Sequence, residues 1–101
     1  MNNIIIDNIQ MLKSLCKKYK VKDLYAFGSV LTDKFSDKSD IDLLVSFEEG
    51  IPLLDYADNY FDFKDNLAQL FNREVDLVTK DTLTNPYFIN EVEKSKTYIY
   101  G

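Results

Sequence analysis

From Asp40 to Phe47 the chain keeps a strict two-residue rhythm. Ile41, Leu43, Val45 and Phe47 alternate with Asp40, Asp42, Leu44 and Ser46. That is the period of a pleated strand, so Asp40 and Asp42 project from one face, about 6.5–7 Å apart along the chain, and the apolar set takes the other. Two neighbouring carboxylates repel each other and cost free energy unless positive charge comes between them. A hard divalent cation answers that need. Mg2+ combines a few carboxylate oxygens with substrate phosphates and retained waters.

Tyr25-Ala26-Phe27 reads as the end of an earlier strand, and Gly28-Ser29 as its exit. Glycine lets backbone approach a phosphate closely, serine adds a hydroxyl, and the N–H groups of a turn or helix start form an anion-binding concavity. One half of this pattern suits phosphate and the other metal, as a metal-bound nucleoside triphosphate requires.

Composition narrows the remaining chemistry. The chain of 101 residues has no histidine and one cysteine, which excludes Ser-His-Asp and Cys-His nucleophiles, histidine-ligated zinc and an internal disulfide. Carboxylates, hydroxyls and a hard metal are left. With 17 acidic against 12 basic residues the net charge is −5, so the basic footprint of a nucleic-acid binder is missing and a nucleic-acid substrate is not expected. The densest basic cluster, Lys17, Lys18, Lys20 and Lys22, reads as the solvated end of a helix. No apolar run approaches a membrane span and no leader pattern is seen, which sets the expectation of a cytoplasmic protein with no membrane partner.

Residues 1–101 are expected to form one domain. Ile5, Ile9, Leu12, Cys16 and Tyr19 recur at helical spacing and predict a first helix over 3–19, with Cys16 buried on its apolar face. Val21–Asp23 reads as a turn before a first strand over 24–27. Val30-Leu31-Thr32 predicts a short helix behind Ser29, and Asp33–Ser39 a polar loop. Pro52 opens a long helix in which Leu53, Tyr56, Tyr60, Phe63, Leu67 and Leu70 share one face and Asp55, Asp58, Asp62 and Asp65 lie away from it. Phe61 and Phe71 broaden the apolar stripe beyond the needs of one sheet face, which raises a partner surface as an alternative to core packing. A third strand over 73–79 turns Val75 and Leu77 one way and Glu74, Asp76 and Val78 the other. Arg73, the only arginine, is placed either to reach a phosphate or to cap the preceding helix. Asp81 reads as a cap or turn residue, Asn85-Pro86 opens a last helix, and Thr97–Tyr100 is a final edge strand. Alternating strands and helices imply an α/β layer, a mixed sheet with helices packed against it.

At Gly28-Ser29, ten residues, and Asp40-x-Asp42, the chain resembles the nucleotidyltransferase superfamily with the polymerase-β-type palm. Ser39–Val45 and Val75-Asp76-Leu77-Val78 resemble its minimal (MNT) branch, the antitoxin halves of HEPN/MNT toxin–antitoxin pairs. The resemblance covers roughly Leu15 to Tyr100. It implies a palm-like α+β sheet, Gly28 and Ser29 on the phosphates of ATP, and Asp40, Asp42 and Asp76 as catalytic carboxylates and ligands of two Mg2+ ions. Asp76 is the third carboxylate by position, with Glu74 as the fallback. The implied reaction is transfer of AMP to a hydroxyl, tyrosine by expectation, on a HEPN-type toxin. Many members carry arginines one and three residues after the serine and then a glycine. Here Val30, Leu31 and Thr32 are followed by Asp33, which removes a triphosphate clamp; Lys34 and Lys38 are the nearby replacements. That departure favours an alternative, a binding module that neutralises its partner by occlusion. Transfer to a small molecule ranks last, because a chain this short has no second lobe for an acceptor.

Overall fold

Strand β1 (Val21–Phe27) runs antiparallel to β2 (Ile41–Phe47), with Ala26 opposite Leu43 and Phe27 opposite Asp42. β3 (Val75–Thr79) lies parallel to β2 on its other side, and β4 (Thr97–Tyr100) antiparallel to β1, giving a mixed sheet in the order β3-β2-β1-β4. The computed structural model describes residues 3–101. Parallel neighbours need a crossover, and the 19-residue helix α3 (Leu53–Phe71) supplies it between β2 and β3. The expected α/β architecture is present.

The two-residue rhythm of β2 decides where the core goes. Ile41, Leu43, Val45 and Phe47 are buried with Leu24 and Ala26 of β1, Val75 and Leu77 of β3, Leu12 and Cys16 of α2 (Ile9–Lys18), and Phe63, Leu67 and Phe71 of α3. Burial pushes the Cys16 thiol up to about 12, which keeps it a neutral packing group. The opposite face carries a smaller cluster in which Phe27 and Leu44 meet Val92 of α4 (Pro86–Ser95). Asn85 caps α4, its side-chain oxygen accepting from the N–H groups of Tyr87 and Phe88 at 2.9 and 3.3 Å.

Several boundaries differ from expectation. The first helix is two pieces, α1 (Asn3–Asp7) and α2, because the Asn8 amide donates to the Ile4 carbonyl at 2.8 Å and competes with the helical ladder. Val21–Asp23 is strand, not turn: Val21 pairs with Phe47, and the reversal falls on Lys20 at φ 59°. β2 starts at Ile41, one residue after Asp40. β3 starts at Val75 because a left-handed Asn72 ends α3 and Arg73 N–H closes onto the Ala68 carbonyl at 3.2 Å. Leu53 does not join the core face; it sits in the first turn of α3 and is exposed. Phe71 is buried, whereas Phe61 is exposed.

Candidate active site

Asp42 stands opposite Phe27 on β1 and opposite Asp76 on β3. Residues directly opposite on paired strands share a face, so the register brings two carboxylates side by side on the surface that faces α4. Asp40 comes in from the loop just before β2. Burial raises the Asp42 carboxyl above its ordinary 3.8, and the charges of Asp76 and then Asp40 push it the same way. Three carboxylates thus act on one another at one end of the sheet. Asp40 and Asp76 are exposed; Asp42 is half-buried between them.

Gly28 closes this group from the β1 side. Its φ is +75°, and a Cβ there would collide with Asp42 Oδ2 and stand 3.1 Å from Asp42 Cγ. The position needs glycine twice over, for its conformation and for its closeness to the carboxylate. Gly28–Leu31 form a tight 3-10 turn with Ser29 half-buried in it. The Ser29 carbonyl accepts from both the N–H and the hydroxyl of Thr32 at 2.9 Å. Val30 is buried and Leu31 packs against the core, so these positions plug the turn and offer no charge to phosphate. Lys34 and Lys38 lie exposed in the following loop.

A cleft of about 320 Å³ opens between the strand ends and α4, lined by Phe27, Gly28, Asp42, Phe88, Glu91 and Ser95. Phe27 and Phe88 meet edge to face with centroids 5.9 Å apart. A larger hollow of about 500 Å³ lies between α3 and β3, but the coupled carboxylates and the glycine turn belong to the smaller one. The α4 residues of this cleft were missed in the sequence. Asn85-Pro86 fixes where α4 starts, but the face it turns to the sheet depends on packing.

The donor set suits Mg2+: hard carboxylate oxygens whose mutual repulsion a divalent ion relieves, beside a glycine that leaves room for phosphate. Among the described residues no three His, Cys, Asp or Glu side chains are gathered into a ligand set as they stand.

The nucleotidyltransferase domain family model matches residues 9–99. The chain belongs to that family. The nucleotidyltransferase is 40% identical over 87 residues to MJ0128 of Methanocaldococcus jannaschii, a candidate protein adenylyltransferase, covering 86% of this chain and 85% of that one. It is 34% identical over 71 residues to the protein adenylyltransferase MntA of Thermococcus cleftensis, covering 70% and 68%. A solved candidate minimal nucleotidyltransferase superposes with a TM-score of 0.73 at 32% identity, covering 96% of this chain and 95% of that one. The complex of tri-AMPylated Shewanella oneidensis HEPN toxin with MNT antitoxin shares the fold, with a TM-score of 0.65 at 19% identity over 95% of this chain and 71% of its match.

Arg73 neither reaches the cleft nor simply caps α3. Its Nη1 donates to the carbonyls of Ser36 and Ser39, 3.0 Å each, and its guanidinium lies 4.5 Å from the Phe35 ring centroid. The nucleotidyltransferase's only arginine therefore ties the loop that delivers Asp40 to the start of β3, close to Asp76. Arg73→Ala is expected to cost about 1–2 kcal/mol by chemical denaturation, because hydrogen bonds from a charged donor and a ring contact are lost together. Loosening of the loop is the accompanying expectation, read as faster amide exchange over residues 35–40; unchanged exchange there would contradict the anchoring role.

Proposed function

We propose that this nucleotidyltransferase moves AMP from ATP to a hydroxyl on a partner protein, and that the partner is a HEPN-type toxin silenced by the modification. The observation that carries the reading is the register of Asp42 with Asp76, coupled to Asp40 and walled by Gly28. The named activity of the relatives from Methanocaldococcus and Thermococcus supports it, and so does the fold shared with the antitoxin complex.

In this reading the acceptor hydroxyl attacks the α-phosphorus of ATP. A new phosphorus–oxygen bond forms, the bond to the β-phosphate bridge breaks, and pyrophosphate leaves. Asp76, exposed at the sheet edge, takes the hydroxyl proton and orients the attacking oxygen. Gly28 and Ser29 let the turn approach the phosphates, their backbone N–H groups serving as anion donors. Asp40, Asp42 and Asp76 would hold two Mg2+ ions, which when bound neutralise phosphate charge and make the hydroxyl more acidic. Phe27 and Phe88 supply apolar walls that exclude water from one side of the cleft.

The acceptor arrives on another chain because one mixed sheet with its helices accounts for the domain, and no second lobe stands over the cleft among the described residues. Among them, no helix is long and apolar enough to cross a membrane. Intact mass spectrometry of the toxin after co-expression tests the proposal. AMP additions on the toxin are expected; a silenced toxin of unchanged mass would refute it. That second outcome is the occlusion reading, which the buried Val30 and Leu31 in place of a cationic clamp favour.

A further inference from the structure

Helix α3 carries more apolar surface than the sheet can cover. Phe63, Leu67 and Phe71 are buried, yet Leu53, Leu54 and Phe61 are 82%, 80% and 61% exposed. At 100° per residue, Leu54, Ala57 and Phe61 form one stripe beside the core-facing arc. Helix α2 does not cover it. The α2 side is marked by Phe63, whose ring lies 6.0 Å from that of Tyr19, and by Asn66, which donates to the Tyr19 hydroxyl at 3.0 Å; both lie on the flank away from Leu54 and Phe61. The stripe instead overhangs β3, the open edge of the sheet.

Beneath that overhang lies the hollow of about 500 Å³, lined by Tyr56, Tyr60, Val78, Thr79 and Thr82 with Asp81 at its rim. Tyr60 touches Phe61 with ring centroids 5.1 Å apart, so hollow and stripe are continuous. They also adjoin the active site. Burial and then the charge of Asp76 raise the Tyr60 hydroxyl above its ordinary value.

The rim is strongly acidic. Asp55, Asp58, Asp62 and Asp65 line the outer face of α3 and Asp81 the far side, against the single Lys64. A second copy of this chain would bring acid against acid. Strand addition to the β3 edge is opposed at Leu77, whose carbonyl already accepts from the Tyr60 hydroxyl at 2.6 Å. What fits is apolar in the middle and basic at its margins. We propose that this surface docks a basic amphipathic helix of the acceptor protein and so presents the acceptor hydroxyl to Asp76. The inference rests on the reading of the chain as a protein-modifying transferase.

The test uses the HEPN-type protein from the same genome, with binding followed by calorimetry and AMP transfer by mass spectrometry. Leu54→Asp combined with Phe61→Asp is expected to weaken binding at least about 30-fold and to raise KM for the protein acceptor in parallel. Affinity for Mg2+-ATP and the melting temperature should stay at wild-type values, since both side chains are already in water. Asp58→Lys combined with Asp62→Lys should also weaken binding and flatten its salt dependence. Binding of the first variant within threefold of wild type, with modification intact, overturns the docking surface and leaves the transferase reading standing. A wild-type dimer that the same variant dissolves overturns it in favour of a second copy. If the wild-type chain neither binds nor modifies the protein, the functional reading falls and this inference with it.

Discussion

Replacing Asp40 and Asp42 together by Asn is expected to lower AMP transfer by about a thousandfold or more while making the fold more stable at neutral pH. The loss follows from removing two of three charged ligands, since bound metal contributes several kcal/mol of transition-state stabilisation and each 1.36 kcal/mol is tenfold in rate. The gain follows from the raised Asp42 carboxyl. A folded-state pKa above the unfolded value of 3.8 means that the folded protein holds the proton more tightly. Its penalty is absent below 3.8 and grows as pH rises through the folded value. Melting curves of wild type and variant should therefore coincide near pH 3 and separate by pH 7, the variant melting higher. Magnesium should reverse the order. Bound to the wild type it stabilises by about 2.7 kcal/mol at a hundredfold excess over Kd, and it should leave the variant unmoved. Curves that separate in the opposite sense would mean that the carboxylates are not crowded. A variant that no longer transfers AMP yet still neutralises its partner would establish occlusion.

What the sequence could disclose follows the range of the forces involved. The rhythm of Ile41–Phe47 and of Val75–Leu77 is local, and both strands formed with the expected faces inward. Gly28-Ser29 and Asp40-x-Asp42 were legible as a pattern of types, because close approach and paired charge leave few alternatives. That Asp76 lies opposite Asp42 was not legible from spacing. It depends on a 19-residue crossover helix and on where Asn72 ends it, and only the family resemblance put Asp76 in the site. Arg73 shows the same limit from the other side. Its carbonyl partners lie 37 and 34 residues earlier, so neither suggested role included anchoring a loop. Leu53 had the helical phase of a core residue but stands one turn before the helix reaches packing partners, and phase does not report where a sheet stops.

The steric role of Gly28 was half legible, and its substitution has the second large expected effect. Gly28→Ala should cost about 2–3 kcal/mol. About 1–2 of this comes from holding an L-residue at φ +75°, and about 1 from driving the Asp42 carboxylate off its rotamer when the new methyl meets Oδ2. For a domain of this size the melting temperature should fall by about 10–20 °C. Activity should fall by about a hundredfold even where the variant is folded, because a displacement of Asp42 by about 1 Å spoils the alignment it provides. Gly50 supplies the control within the same molecule. Its φ is +81°, but a Cβ there meets nothing within 4 Å. Gly50→Ala should therefore cost the conformational part alone and leave transfer untouched. A second check removes the obstacle instead: in an Asp42→Gly background, Gly28→Ala should drop to the cost measured at Gly50, a coupling of about 1 kcal/mol in a double-mutant cycle. If the two glycines prove equally costly to replace in the wild-type background, contact between Gly28 and Asp42 does not constrain the site.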